Sequence, residues 1–305
     1  MKCFLVKAII FVIVNIAIGA AVLAVVDSRY SFKQWETDSI LLPMPRDTQY
    51  GLLLMGTSRG QLFTRYKENA ETVERTFGTN VYNLSIPFGG GILPEKMFLT
   101  TFFERGNQAK TILYFIDPFT MFSPKPNTQH RLVNYEPLWP SFLWQLIKND
   151  MPRERIIVYI QSKFSKRWFT QKPELMTRND KRMEDDLVNP EKVKLRNDSL
   201  YFDGLNEKHF ETYARVLDEI LELANSQGCR VILAFPPTLL GPQPGADLLL
   251  AEMEKLKVTR TFEFYDFTDA IQDPALYYDY DHLNSNGVKL FVEEHLAPVM
   301  NKMPR

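Results

Sequence analysis

Gly51-Leu52-Leu53-Leu54-Met55-Gly56-Thr57-Ser58-Arg59 is the stretch whose reading decides the fold. A short uninterrupted apolar run has no solvent face, so it reads as a strand covered on both sides, as in a parallel sheet. A serine leaves the end of that strand. The same rhythm continues outward. Gly60 to Phe77 reads as a helix, Asn80 to Leu84 as a short strand, and Ser85-Ile86-Pro87-Phe88-Gly89-Gly90-Gly91 as a loop. Leu93 to Arg105 reads as a helix and Thr111 to Ile116 as a third strand. Farther on come a long helix at Glu207 to Gln227, a strand at Arg230 to Phe235 stopped by Pro236-Pro237, and a helix at Ala246 to Leu256. A strand at Thr261 to Tyr265 and a closing helix at Asn286 to Met300 end the series. Alternating strands and helices predict an α/β/α sandwich around a five-stranded parallel sheet.

Asp117 to Asn206 breaks the rhythm. It is rich in aromatic residues (Trp139, Phe142, Trp144, Trp168, Phe169) and basic ones (Arg153, Arg155, Lys163, Lys166, Arg167, Lys172). It is too long for a simple connection and reads as a partly helical insertion, at about 118–206, beside the carboxyl edge of the sheet. Its aromatic residues could stack on sugars, build a small core or lie on a membrane surface. Residues 27–50, with Pro43 and Pro45, read as a linker, and 51–305 as the globular domain.

Ala8 to Val26 is nineteen residues without a charge, with Asn15 its single polar residue. At 1.5 Å per residue such a helix just crosses a bilayer core of ~30 Å. Lys2 and Lys7 precede or open the run, which puts the domain on the far side of the membrane. Residues 1–26 are therefore expected to be a transmembrane anchor. A cleaved signal peptide, with Ala21-Val22-Leu23-Ala24 as its cleavage site, is the alternative, and the length of the run favours retention. The net charge of −1 gives no global field for nucleic acid. Cys3 and Cys229 have no metal-ligand spacing, and no disulfide within the domain is expected. His130, His209 and His295 have no metal spacing either. No cofactor motif is present.

The chemistry-bearing residues fall after successive strands: Ser58 after the first, Gly89 to Gly91 after the second, Asp117 after the third. After the fifth comes Asp279-Tyr280-Asp281-His282-Leu283-Asn284. In an open parallel sheet, such positions meet at the carboxyl edge. A serine hydroxyl needs a histidine to take its proton, and the histidine needs a carboxylate to fix its tautomer. Ser58, His282 and Asp279 supply all three. Each also has a plain reading: Gly-x-Ser as a turn, Asp279 or Asp281 as a helix cap, His282 as a packing residue. Arg59 could bind an anionic glycan or phosphate, or form a salt bridge. Asp117 could cap the next turn.

The sequence resembles the SGNH (GDSL-type) hydrolase superfamily over roughly residues 50 to 120 and 207 to 300. Gly56-Thr57-Ser58 matches its first block, and Asp279-Tyr280-Asp281-His282 followed by Leu283-Asn284-Ser285-Asn286-Gly287 matches its last. Asn83-Leu84-Ser85 and Gly89-Gly90 fit the second. The third block normally carries an asparagine that donates to the oxyanion, and here reads Phe115-Ile116-Asp117-Pro118. Within the superfamily it looks most similar to membrane-tethered polysaccharide acyl-transfer proteins of the alginate O-acetylation and teichoic-acid D-alanine transfer types.

That resemblance implies Ser58 as nucleophile, His282 as general base and Asp279 as its orienter. The oxyanion donors would be the backbone N–H groups of Ser58 and of Gly89 or Gly90. Arg59, Asn83 and Asp117 are weaker substrate-binding candidates. The expected activity is acyl transfer to, or acyl removal from, a cell-envelope or exported polysaccharide, with no cofactor and no metal. A membrane-bound O-acyltransferase is the implied partner, and the domain is expected to be extracytoplasmic. The alternative is a catalytically silent glycan-binding or scaffold module, which the missing asparagine favours.

Overall fold

The structure is a computed structural model that describes residues 2–29, 32–86, 90–128, 132–164, 177–184 and 187–300. Five strands form one parallel sheet: β1 (Gln49–Gly56), β2 (Val81–Asn83), β3 (Gln108–Phe115), β4 (Arg230–Phe235) and β5 (Glu263–Asp266), in the order β2-β1-β3-β4-β5. The registers are parallel throughout, as in Leu52↔Val81, Leu53↔Ile112, Leu113↔Ile232 and Leu233↔Phe264.

The continuous apolar runs are explained by two cores. Side chains alternate across a strand. Thus Leu53, Met55, Ile112, Tyr114, Val231 and Leu233 enter one core, and Leu52, Leu54, Leu113, Phe115, Ile232 and Ala234 the other. The first core is closed by helix α4 (Ile92–Glu104), through Met97, Phe98, Leu99 and Phe102, and by the helix Glu207–Ser226. The second is closed by helices α2 (Ser58–Arg65) and α3 (Lys67–Phe77) and by the C-terminal helices. The three layers expected from the sequence are therefore present.

Three expectations need correction. The helix predicted over Gly60 to Phe77 is two helices. Tyr66 lies in extended backbone between them (φ −114°, ψ 142°), and the Asn69 side chain donates to the Leu62 carbonyl at 2.8 Å, satisfying a group the break exposes. The stretch predicted as a linker is partly core: Ile40, Leu41 and Met44 are buried in the first core. Buried Glu136 holds Ile40 and Leu41 there, accepting from Ile40 N (2.9 Å), Leu41 N (2.8 Å) and Ser39 Oγ (2.7 Å), and Met44 N donates to the Leu41 carbonyl (2.9 Å). Pro43 and Pro45 forbid a helix but not burial. The closing helix is interrupted: Ser285–Leu290 passes into a π-helical turn, Phe291–Leu296, before Ala297–Met300.

The insertion is partly helical, including Pro140–Lys148, Arg153–Ser162 and Pro190–Leu200. Among its described aromatic residues Phe142 builds core, stacking on Phe98 (5.1 Å) and meeting Tyr159 edge-on (5.8 Å), whereas Trp144 is exposed. Trp168, Phe169, Lys166, Arg167 and Lys172 lie outside the described residues.

Residues Lys2–Arg29 form one helix, α1. Among the described residues no helix is long and apolar enough to cross a membrane; the side chains at positions 2, 3, 12, 16, 20 and 23–29 of α1 are not among those described.

One buried acid yields a stability prediction. Glu95 is fully enclosed, receives the Tyr114 hydroxyl, and leaves Oε1 without a partner. Burial pushes its carboxyl up to about 8, against the pull of Tyr114. The folded state therefore binds a proton that the unfolded state releases near 4.5. Stability from this group is fully present below about pH 4.5 and is lost as pH rises through about 8, a term on the order of 5 kcal/mol. Glu95→Gln is expected to flatten the fall in urea-unfolding free energy between pH 5 and pH 8. An unchanged slope would show that Glu95 is not its source.

Candidate active site

The nucleophile candidate is placed by the end of β1. Gly56 has φ +141°, and a Cβ there would lie 2.6 Å from the Phe115 carbonyl oxygen, so only glycine fits. Thr57 then caps α2: its hydroxyl accepts from Arg59 N (3.4 Å) and donates to Asp117 Oδ2 (2.5 Å). Ser58 becomes the first helical residue. Its N–H belongs to the first turn, which has no carbonyl partner within the helix and carries the positive end of the helix dipole.

The histidine and its acid sit on a feature the sequence reading missed. Strands β6 (Tyr277–Asp279) and β7 (His282–Leu283) form an antiparallel pair in which Asp279 and His282 are register partners. Asn284 caps the next helix, accepting from Asn286 N and Gly287 N, both at 3.1 Å. The capping role considered for Asp279 or Asp281 therefore falls to Asn284.

These pieces meet. Ser58 Oγ lies 2.8 Å from His282 Nε2, and His282 Nδ1 lies 2.9 and 3.0 Å from the two Asp279 carboxylate oxygens. With Nδ1–H donating to Asp279, Nε2 is free to accept the Ser58 proton; this tautomer follows from the hydrogen-bond network. Tyr278 stacks on the imidazole at 5.2 Å and 18°, limiting its rotation.

A second carboxylate flanks the same nitrogen. Asp281 Oδ1 is 3.5 Å from His282 Nδ1. The two acids differ sharply, since the Asp279 side chain is 41% exposed and that of Asp281 only 3%. Asp281 is gripped by Arg196, which donates from Nε to Oδ1 (2.9 Å) and from Nη2 to Oδ2 (2.7 Å), and by Arg59 Nη2 (3.3 Å). Arg196 comes from the insertion. Nothing local in the sequence marks it, although the closely spaced Asp279 and Asp281 signal that one of them needs a cation.

The remaining candidates are placed differently from expectation. Arg59, read as an anion-binding candidate, is buried and spans Asp117 (2.7 Å) and Asp281, so its charge is already neutralised. Asp117, the residue in place of the asparagine, is buried and committed to Arg59 and Thr57. It is a structural carboxylate, not a substrate contact. Asn83 is also structural: its amide donates to the Gly60 carbonyl (2.9 Å) and its oxygen accepts from Ser85 N (2.8 Å). Gly89 lies outside the described residues. Gly90 is pressed against Ile86, where a Cβ would come within 2.1 Å of that side chain, which explains the glycine.

Charge in the site follows from these contacts. Burial would push the Asp281 carboxyl up, yet His282, Arg59 and Arg196 hold it well below the usual carboxylate range. Burial pulls the His282 imidazole down, and Asp281 and Asp279 overcome it and raise it to about 9. Asp279, Asp281 and His282 offer ligand atoms within 4.8 Å of one another, close enough for a metal ion. Two guanidinium groups already on Asp281 oppose a further cation there.

The sequence matches no protein-family profile and no curated protein. Among solved structures, a candidate acylhydrolase from Bacteroides fragilis NCTC 9343 aligns over 85% of this chain and 91% of its own, at 12% identity and a TM-score of 0.38. A likeness at that level fixes neither fold nor chemistry.

Proposed function

We propose that the protein is an extracytoplasmic serine acyl-transfer enzyme, an O-acyltransferase or esterase acting on a cell-envelope or exported polysaccharide. The observation that carries this reading is the chain from Ser58 Oγ through His282 to Asp279, with links of 2.8 and 2.9 Å. Ser58 Oγ attacks the acyl carbonyl as its proton passes to His282 Nε2. The oxyanion is held by the Ser58 N–H at the start of α2, with Gly90 N–H as the candidate second donor. Collapse breaks the bond to the leaving alcohol, which takes the proton from Nε2, and leaves the acyl group on Ser58. A sugar hydroxyl or water, deprotonated by the same nitrogen, then releases it. Asp279 fixes the tautomer, and Asp281 adds negative charge beside the imidazolium that forms.

The membrane part of the proposal rests on α1. Phe4, Leu5, Val6, Ile9, Ile10, Phe11, Ile13 and Val14 are exposed and point in all directions around the helix. A helix apolar on every side is suited to a hydrocarbon surround. Lys2 and Lys7 favour an orientation with the domain outside. A multi-pass acyltransferase that brings acyl groups across the bilayer fits such a chain as a partner.

A silent glycan-binding or scaffold module is the second reading. The asparagine missing from the third block favours it, because Asp117 in that place is a carboxylate paired with Arg59 and has no N–H to offer an oxyanion. Covalent labelling by a fluorophosphonate decides between the two. The proposed enzyme labels at Ser58, and Ser58→Ala abolishes it. Absence of labelling in the folded wild-type protein would support the silent module.

The pH dependence of labelling is a further prediction. With His282 raised to about 9, only about one molecule in a hundred has the neutral imidazole at pH 7. The labelling rate is expected to climb about tenfold per pH unit and to level off above about 9. A profile already flat at pH 7 would show that the two carboxylates do not raise the imidazole.

A further inference from the structure

The first described residues after α1 return to the catalytic edge of the sheet. The side chain of Gln34 pairs with the backbone of Asn83 in both directions: Nε2 donates to the Asn83 carbonyl at 2.9 Å, and Oε1 accepts from Asn83 N at 3.2 Å. Asn83 is the last residue of β2, at its carboxyl end. Its side chain bonds Gly60, two positions beyond Ser58. The turn Gln34–Glu36 also packs against α2, the helix that Ser58 begins, and Asp38 pairs with Arg65 at the far end of that helix. The domain is therefore fastened to the N-terminal segment beside the nucleophile.

The tether is short. From Arg29, the end of α1, to Gln34 is five positions, a reach of at most about 18 Å when fully extended. A domain fastened at its far pole would hold Ser58 a whole domain away from the membrane. Here the fastening point is on the serine's own edge. Trp35, half-buried in the fastened turn, is of the type that settles where headgroups meet hydrocarbon, and the adjacent Lys33 is exposed to meet anionic headgroups.

We infer that the Gln34–Glu36 turn holds the catalytic edge against the bilayer surface, and that the acyl donor is an ester borne by that membrane. This rests on the acyl-transfer and anchor readings above. In the reaction the ester C–O bond breaks, the acyl group joins Ser58 Oγ, and the leaving alcohol takes the serine proton by way of His282. Water or a sugar hydroxyl then accepts the acyl group.

The test uses the full chain reconstituted in phosphatidylcholine–phosphatidylglycerol vesicles. It compares p-nitrophenyl myristate carried in the vesicles with p-nitrophenyl acetate in solution. A flexible 20-residue Gly/Ser spacer between residues 31 and 32 adds a mean span of about 25 Å while leaving the Gln34–Asn83 pairing in place. The spacer is expected to lower turnover of the vesicle-borne ester about tenfold and to leave that of the soluble ester unchanged. Brominated phosphatidylcholine is expected to quench part of the tryptophan emission, and Trp35→Phe to remove that part.

Equal turnover of the vesicle-borne ester with and without the spacer, with the soluble ester still cleaved and the chain still resisting carbonate extraction, would overturn this inference alone. Release by carbonate would remove the anchor reading and this inference with it. Loss of turnover toward both esters in the folded wild type would remove the acyl-transfer reading as well.

Discussion

Ser58→Ala and His282→Ala are each expected to lower turnover of an activated ester by about 10⁴- to 10⁶-fold, and the double variant to be no worse than either single one. The reason is that Ser58 Oγ and His282 Nε2, 2.8 Å apart, do one job between them. Without the base the hydroxyl is not activated, and without the hydroxyl the base has nothing to activate. Steady-state kinetics on all three variants measures this directly, and additive losses would show that the two groups act separately. Asp279→Asn is expected to behave differently. A solitary triad acid is worth about 10⁴. Here Asp281, held ionised by Arg59 and Arg196, remains 3.5 Å from the same ring nitrogen. The loss on Asp279→Asn should therefore be smaller than 10⁴, and the double change Asp279→Asn, Asp281→Asn should restore the full penalty. If Asp279→Asn alone already reaches it, Asp281 contributes nothing to the imidazole.

Arg59→Met is expected to destabilise the fold by roughly 3–5 kcal/mol, because removing one partner of a buried pair strands the other. Arg59 serves two enclosed carboxylates, Asp117 at 2.7 Å and Asp281 at 3.3 Å. Asp281 keeps Arg196, whereas Asp117 is left with the Thr57 hydroxyl. Adding Asp117→Asn should thus recover a large part of the loss, while adding Asp281→Asn should recover little. Urea unfolding of the single and double variants tests the asymmetry. Equal rescue by both changes would refute it.

The fold was legible because a parallel sheet with both faces covered demands continuous apolar strands, and Leu52 to Met55, Thr111 to Ile116 and Arg230 to Phe235 satisfy that demand in the open. Ser58 was legible because it follows the end of β1, and Asp279 and His282 because they lie close together beyond β5, although the β6–β7 hairpin that pairs them was not. Other parts depend on contacts that no local pattern announces. Ile40, Leu41 and Met44 sit among prolines and read as a linker, yet Glu136, almost a hundred residues on, ties the backbone of Ile40 and Leu41 into the core. The break at Tyr66 is stabilised by Asn69, whose side chain replaces a helix bond without disturbing the helical periodicity. Arg59 could be read as an anion binder or as a salt-bridge partner, and its two carboxylates could not be named because they lie 58 and 222 positions away. Arg196 belongs to an insertion whose composition suggested a small core, sugar stacking or a membrane surface, and its role becomes visible only where it grips Asp281.

The pairing of Asp279 with His282 across one tight hairpin has a consequence for how the protein is made. The acid and the base are built by neighbouring residues and arrive together, whereas the serine they serve was synthesised 224 positions earlier. Until the hairpin has left the ribosome, Ser58 can already stand at the end of β1 and the start of α2 but has nothing to take its proton. On the proposed acyl-transfer reading, the chemistry is thus withheld from the growing chain. On that reading, a truncated product that stops short of His282 carries the serine without the base that would activate it.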